Sequence, residues 1–344
     1  MKEYRVLVAM DMEESQLREI AAIDSRLRVD SVVEEFGALL GSTARGIAMP
    51  KEGESLDPAT AESRLAPLLK EAEILYTRRV LPDLLKQSPK LRWVHLVSHG
   101  VDRFQGDLLE SDVTITTGQG SHAEAVAEHT MALILMLARG MPCFSAQQLK
   151  HRWEKRLQGV ELSQSTLGLV GLGSIGKQIA HYAKAFGMRV IATRRTLPEA
   201  PPPEVDEMVP RERLDYLLKE SDFLVLALSL TPDTLNLIGE RELRLMKPSA
   251  FLINISRGGI IDEPALIRAL QDQWITGAGL DVFQVEPLPA DSPLWDMPNV
   301  IVTPHVGGYS PHFVEHANRL FMENLRRYLN GKPLLNVFDQ TRGY

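Results

Sequence analysis

Leu167-Gly168-Leu169-Val170-Gly171-Leu172-Gly173-Ser174-Ile175-Gly176 reads as a buried strand that turns through three glycines into a helix. Gly171 permits the tight bend, Gly173 lets the backbone approach a pyrophosphate, and Gly176 lets the helix pack on the strand. Helix N-terminal N–H groups then point at the phosphates. A bare G-x-G-x-x-G pattern is a weak signal, but here an apolar strand precedes it and an amphipathic helix, Lys177 to Phe186, follows. A second apolar run, Met188 to Thr193, closes a βαβ unit of the expected length. Gly171, Leu172, Gly173, Ser174 and Ile175 are therefore the expected phosphate turn of a dinucleotide-binding domain.

The end of the second strand bears on which dinucleotide. An NAD-binding unit carries Asp or Glu there for the adenine ribose hydroxyls, whereas this chain has Thr193, Arg194, Arg195 and Thr196. Two guanidinium groups and a hydroxyl suit a 2′-phosphate, because Arg offers permanently charged, bidentate contacts. NADP is the preferred cofactor on this reading. The alternative is that the arginines are solvated loop residues and NAD is accepted as well. Asp206 and Glu207 lie too far along a Pro-rich loop to replace the missing acid.

Around this unit, short apolar runs alternate with helical patterns: Arg5–Met10, Ile74–Thr77, Trp93–Val97, Val113–Thr117, Val190–Thr193, Phe223–Leu230, Phe251–Ile255, Ala278–Phe283 and Val300–Thr303. Such alternation predicts parallel sheets covered by helices on both faces. With 344 residues, 44% hydrophobic and 24% charged, the chain is long enough for two domains with separate cores. The glycine turn sits near the middle, so about half of the chain precedes it and needs a role of its own. Ala123 to Arg139 is strongly apolar at helical spacing, which fits a helix crossing between domains, a core helix or a subunit interface alike.

A net charge of −7 argues against nucleic acid as a general partner. One cysteine, Cys143, excludes an intrachain disulfide and fits a reducing compartment. The N-terminal stretch has no cleavage-like segment, and the longest apolar run, Met131 to Ala138, is too short to span a bilayer. A soluble, cytoplasmic protein without a membrane partner is expected.

Three later segments each place a polar residue beyond an apolar strand, where open parallel sheets gather their ligands. They are Asn254-Ile255-Ser256-Arg257-Gly258-Gly259, Asp281-Val282-Phe283-Gln284-Val285-Glu286-Pro287 and Thr303-Pro304-His305-Val306-Gly307-Gly308. Hydride transfer to a 2-keto acid needs a group to hold the carboxylate, one to polarise the ketone, and an acid to protonate the forming alkoxide. Arg257 suits the first two tasks and His305 the third. Glu286 can orient the imidazole and favour its charged form. The other histidines, His95, His122, His129, His151, His181, His312 and His316, show no metal-ligand spacing joined to cysteine or carboxylate clusters. No metal is expected, and His312 with His316, four apart, reads as the surface of the last helix.

These segments, with the Gly171 to Gly176 turn, strongly resemble the D-isomer-specific 2-hydroxyacid dehydrogenases over nearly the whole chain. The resemblance implies catalytic Arg257, Glu286 and His305, in agreement with the chemical reading. It implies a Rossmann-type dinucleotide-binding domain, 119–312, inserted into a flavodoxin-like substrate-binding domain, 1–118 and 313–344. Both are doubly wound parallel sheets, with the active site in the cleft between them. Leu96-Val97-Ser98-His99-Gly100-Val101-Asp102 looks like the family's substrate loop, whose N–H groups bind the carboxylate, making Ser98, His99, Gly100 and Val101 substrate-binding residues. His99 departs from the small residues common there; it either senses the substrate side chain or faces solvent. Leu228 and Ser229 look like the cofactor-contacting strand end, although Ser229 stands where many members have Pro. Ile255, Ser256, Asp281 and Gly307 complete the implied cofactor contacts.

The expected activity is therefore NAD(P)-dependent interconversion of a 2-keto acid and a D-2-hydroxy acid, with glyoxylate- or hydroxypyruvate-like substrates. The resemblance also implies a homodimer, contacting through the Ala123–Arg139 helix and the arm after it. Phosphoglycerate, formate and phosphite dehydrogenases share the plan, as does a nucleotide-sensing corepressor that binds protein partners.

Overall fold

The structure is a computed structural model that describes residues 2–40, 56–101, 107–155 and 159–340. The chain divides into unit 1, Met1–Ser121 with His312–Tyr344, and unit 2, His122–Pro311. The first seam lies a few residues beyond the expected 118/119 edge because Ser121 is tied back into unit 1. Its hydroxyl donates to Gly118 O at 2.7 Å, and its carbonyl pairs with His316 Nδ1 at 3.1 Å.

In unit 1, strands β1 (Tyr4–Ala9), β2 (Leu27–Ser31), β3 (Ile74–Thr77), β4 (Trp93–Leu96) and β5 (Thr114–Thr117) form a parallel sheet in the order β2-β1-β3-β4-β5. That 2-1-3-4-5 order is the flavodoxin-like one. Helices α1 (Glu14–Ala21), α2 (Val33–Leu40), α3 (Pro58–Glu71) and α4 (Leu84–Gln87) connect the strands. The central strands β3 and β4 are buried at every position, as strands covered on both faces must be. The edge strand β2 escapes sequence reading for the complementary reason: Leu27 is its one buried residue, so it shows neither an apolar run nor alternation. A late helix, Phe313–Leu329 (α11 in chain order), returns to this unit and presses Ala317, Phe321 and Leu325 onto the sheet. Phe321 stacks on Tyr76 at 4.2 Å and on Trp93 at 5.5 Å, contacts worth about 0.5–1.5 kcal/mol each beyond area burial.

In unit 2, β6 (Thr166–Val170), β7 (Arg189–Thr193), β8 (Glu207–Val209), β9 (Phe223–Leu226), β10 (Phe251–Asn254), β11 (Gly277–Leu280) and β12 (Val300–Val302) form a second parallel sheet. The order is β12-β11-β10-β9-β6-β7-β8. Counted from β6, this is the 3-2-1-4-5-6 dinucleotide-binding order with one further strand. The helices here are α5 (Ala123–Ala138), α6 (Met141–Leu149), α7 (Ser174–Ala185), α8 (Leu214–Glu220), α9 (Glu240–Leu245) and α10 (Glu263–Gln271). Among the three roles open to Ala123–Arg139, the structure places α5 in the core of unit 2. It packs on α7, β10 and β11, with Ala127 and Ile134 fully buried.

The Pro-rich loop after β7 ends in β8, a three-residue strand too short for a sequence signal. Asp206 sits at its start and accepts from Val190 N at 2.7 Å and Lys184 Nζ at 2.9 Å. Burial alone would raise this carboxyl, but those two donors outweigh it and hold it below the usual carboxylate range. Asp206 thus closes the β7–β8 pairing. Among the described residues, no helix is long and apolar enough to cross a membrane.

Candidate active site

The strand order of unit 2 reverses between β6 and β9, and ligands of such sheets gather at the carboxyl ends flanking that reversal. Gly171, directly after β6, has φ +104°, and a Cβ there would lie 2.3 Å from Ala227 O, so no other residue fits without displacing the backbone. β9 accordingly stops at Leu226, short of the expected Leu230, because the chain from Ala227 to Leu228 turns against the glycine. At Gly173 a Cβ would meet nothing within 4 Å, which leaves open space over the start of α7. No side chain caps that helix, so its first-turn N–H groups are available to a phosphate.

At the end of β7, the Thr193 hydroxyl is buried without a partner among the described residues. Arg194, Arg195 and Thr196 follow it on the surface, and neither arginine has an ion-pair partner among the described residues. An orphaned hydroxyl, two arginines and an uncapped helix start fit the phosphates and ribose of a dinucleotide. Ser229, beyond β9, is exposed, and its carbonyl accepts from Thr234 Oγ1 at 2.8 Å.

Beyond the carboxyl ends of β10, β11 and β12 lie Arg257, Glu286 and His305. Asn254, 1% exposed, ends β10 and braces the following turn. Its Oδ1 accepts from Ser256 N at 3.1 Å and Ser256 Oγ at 2.8 Å, while its Nδ2 donates to Arg257 O at 3.0 Å. Arg257 leaves this turn half-buried in extended conformation, with Nη1 donating to Ser256 O at 2.8 Å. The next residue must be glycine, since a Cβ at Gly258 would lie 1.9 Å from the Phe283 carbonyl carbon. The Arg257 turn thus touches the backbone that leads into Glu286.

Glu286 accepts from Phe283 N through Oε1 at 3.2 Å and pairs through Oε2 with His305 Nδ1 at 2.8 Å. The two side chains remain about a quarter to a third exposed, which keeps the imidazole reachable. The Glu286 contact orients the ring through Nδ1. His305 itself has φ +55°, a left-handed backbone rare outside glycine, so its surroundings must hold it. The structure therefore brings Arg257, Glu286 and His305 to successive strand ends of one sheet.

Asp281 lies beneath them, buried, with Oδ1 accepting from Thr303 Oγ1 and Val306 N and Oδ2 from Gly307 N. Ile255 and Ser256 are buried in the Arg257 turn. Sequence reading named neither Asn254 nor Thr303 as a site residue. Their signal was a polar residue at the close of an apolar strand, one that must find partners in the next turn.

In unit 1, Ser98, His99 and Gly100 follow β4 half-buried, and Val101 is buried. Gly118 N holds Ser98 O at 3.0 Å, and the Ser98 hydroxyl is buried without a partner among the described residues. Asp102 lies outside the described residues. His312 is exposed, as expected of the last helix, whereas His316 is partly buried by its bond to Ser121. Among the described residues, no group of His, Cys, Asp and Glu could hold a metal ion.

Residues 131–307 match the family model of the D-isomer specific 2-hydroxyacid dehydrogenase, NAD binding domain. Over 277 residues the sequence is 38% identical to a glyoxylate reductase of Thermococcus litoralis, covering 77% of this chain and 82% of the relative. It is 37% identical over 279 residues to a D-3-phosphoglycerate dehydrogenase of Methanocaldococcus jannaschii, covering 79% of this chain and 52% of that relative. Among solved structures, an NADPH-dependent glyoxylate/hydroxypyruvate reductase from Sinorhizobium meliloti, in complex with NADP and sulfate, is similar with a TM-score of 0.77. Identity is 26%, covering 99% of this chain and 100% of that one. Two doubly wound parallel sheets and an Arg, Glu, His set at successive strand ends define a nicotinamide-dependent oxidoreductase. The chain belongs to the D-isomer specific 2-hydroxyacid dehydrogenase family.

Proposed function

We propose that the chain is an NADPH-preferring reductase of small 2-keto acids of the glyoxylate and hydroxypyruvate type, yielding the D-2-hydroxy acid. The observation that carries this reading is the His305–Glu286 pair at 2.8 Å beside the braced Arg257 turn. A guanidinium gives bidentate charge to a carboxylate or polarises a ketone oxygen, and an imidazole backed by a carboxylate protonates the oxygen as it gains charge. When bound, the reduced nicotinamide supplies the hydride to the carbonyl carbon. His305 Nε2 delivers the proton to the oxygen, and Glu286 stabilises the imidazole while it is charged.

Ser98, His99, Gly100 and Val101 are proposed to take the substrate carboxylate through backbone N–H groups, which assigns unit 1 to substrate and unit 2 to dinucleotide. Gly171, Leu172, Gly173, Ser174 and Ile175 hold the pyrophosphate on this reading, while Arg194, Arg195 and Thr196 read the 2′-phosphate. Leu228, Ser229, Ile255, Ser256, Asp281 and Gly307 line the nicotinamide end. The named cofactor of the Sinorhizobium reductase and the substrate of the Thermococcus reductase support both halves of the proposal.

A homodimer is proposed through α5, α6 and the arm after them. Met141, Phe144, Leu149 and Trp153 there expose apolar surface, with Trp153 90% exposed. A single cysteine and net negative charge support a cytoplasmic protein without nucleic-acid partners. The test is initial-rate oxidation of NADPH and NADH, in parallel, against glyoxylate, hydroxypyruvate, phosphohydroxypyruvate, pyruvate and bulkier 2-keto acids. Turnover favouring NADPH with the smallest substrates is expected. Cofactor binding without turnover on any of them would overturn the substrate assignment and favour a sensor.

A further inference from the structure

We infer that His129, on α5, is a positioning residue for the proton donor His305, acting through Thr303 and Asp281. This inference rests on the functional reading above and goes beyond it. Thr303 Oγ1 donates its single hydrogen to Asp281 Oδ1 at 2.6 Å. Its 3.0 Å contact with His129 Nε2 must therefore be one in which the imidazole donates, which fixes a proton on Nε2 of His129.

Asp281 passes the constraint on. Its Oδ1 accepts from Val306 N at 3.0 Å and its Oδ2 from Gly307 N at 2.9 Å, and these are the two amides that follow His305. His129 also lies directly against the turn. A Cβ at Gly307 would stand 2.9 Å from Asp281 Oδ2 and 3.2 Å from His129 Cδ2. His129 Nε2 is 3.5 Å from Asp281 Oδ1, with the Asp281 side chain 4% exposed.

The turn between Thr303 and Gly308 is thus held by two histidine–carboxylate pairs of different purpose. Glu286 holds the His305 ring, and His129 with Asp281 holds the backbone beneath it. A left-handed residue such as His305 persists only where its surroundings over-determine it, and this network supplies part of that constraint through the two amides that follow it. The links are hydrogen bonds that converge on the buried Asp281 carboxylate, where losing one donor leaves a buried acceptor short.

The test uses His129→Ala, His129→Gln and Thr303→Val in the full-length chain, with kcat, KM for the keto acid, NADPH affinity and Tm measured for each. His129→Ala and Thr303→Val are each expected to lower kcat about tenfold, the effect of one positioning hydrogen bond. The double variant is expected to be no worse than either single one. His129→Gln, which keeps an N–H donor near the same place, is expected to recover most of the loss.

Unchanged kcat in both single variants would overturn the inference. So would a parallel fall in kcat, NADPH affinity and Tm that His129→Gln does not rescue. A second readout separates failure of this inference from failure of the functional reading. Imidazole ¹H–¹⁵N spectra of the unliganded protein should show His129 protonated on Nε2, and His305 ring signals that shift alike in His129→Ala and Thr303→Val. If the wild-type chain turned over none of the keto acids, the functional reading would fail, and these spectra would still decide the coupling. Unshifted His305 signals in both variants would overturn it.

Discussion

His305 and His95 stand in sheets of the same parallel construction, and position along the strand separates their fates. His305 lies in the turn beyond β12, partly exposed, with Nδ1 on Glu286. His95 lies inside β4, fully buried among Tyr76, Trp93 and Phe321, with Nδ1 on Thr116 Oγ1 at 2.7 Å. Burial pulls the His95 imidazole down to about 3, so it is neutral in the folded protein. One ring is open to solvent and the other is sealed from it. A histidine in a parallel sheet becomes chemical where the strand ends and structural where it continues, because main-chain pairing and covering helices exclude water from the strand itself.

Breaking the reactive member of the pair gives the largest effect. His305→Gln is expected to lower kcat by roughly 10²- to 10⁴-fold while NADPH still binds, since a general acid is lost and the phosphate turn is untouched. Near-normal turnover in stopped-flow assays would remove His305 from its role. Next in size, Arg257→Lys is expected to cost about 10- to 100-fold in kcat/KM, because a point charge does not reproduce a fork of donors; equal kinetics would make Arg257 a structural residue. Arg194→Asp should then shift the NADPH to NADH ratio by about tenfold or more toward NADH, as a charge reversal faces the 2′-phosphate. An unaltered ratio would clear Arg194 of that task.

The smallest effect sharpens the other side of the comparison. Unfolded, His95 takes up a proton near its ordinary value of about 6.5, whereas folded it does so only near 3. The stability it supports is complete above about pH 6.5 and is lost as pH falls toward about 3, by up to about 1.4 kcal/mol per pH unit. Denaturant titrations from pH 6.5 to 4.5 should therefore show a shallower pH slope in His95→Gln than in the wild-type chain. Identical slopes would mean that His95 is not the group responsible.

The amino-acid sequence made the parallel sheets and the Arg257, Glu286 and His305 segments legible, because buried strands are continuous apolar runs and their polar closures stand out against them. It hid β2, whose single buried residue gives neither an apolar run nor alternation, and β8, whose three residues are too few to show a period. It also hid how the strand ends are braced. Asn254 and Asp281 are legible as polar residues, and Asn254 turns back on Ser256 and Arg257 two and three positions on, but that Asp281 holds Val306 and Gly307 depends on the register of β11 with β12. His129 was readable only as a histidine without metal-ligand spacing. Its partner Thr303 lies 174 residues away, so no local pattern could join them.

The return of α11 to the first sheet orders events at the ribosome. Unit 2 is continuous in the chain, whereas unit 1 needs residues on both sides of it. At roughly 5–20 residues per second, the strands of unit 1 leave the exit tunnel on the order of ten seconds or more before Phe321 can cover Tyr76 and Trp93. During that interval one face of the nascent sheet presents its aromatic side chains to whatever surrounds it. The sheet that is made first is thus the last to be covered.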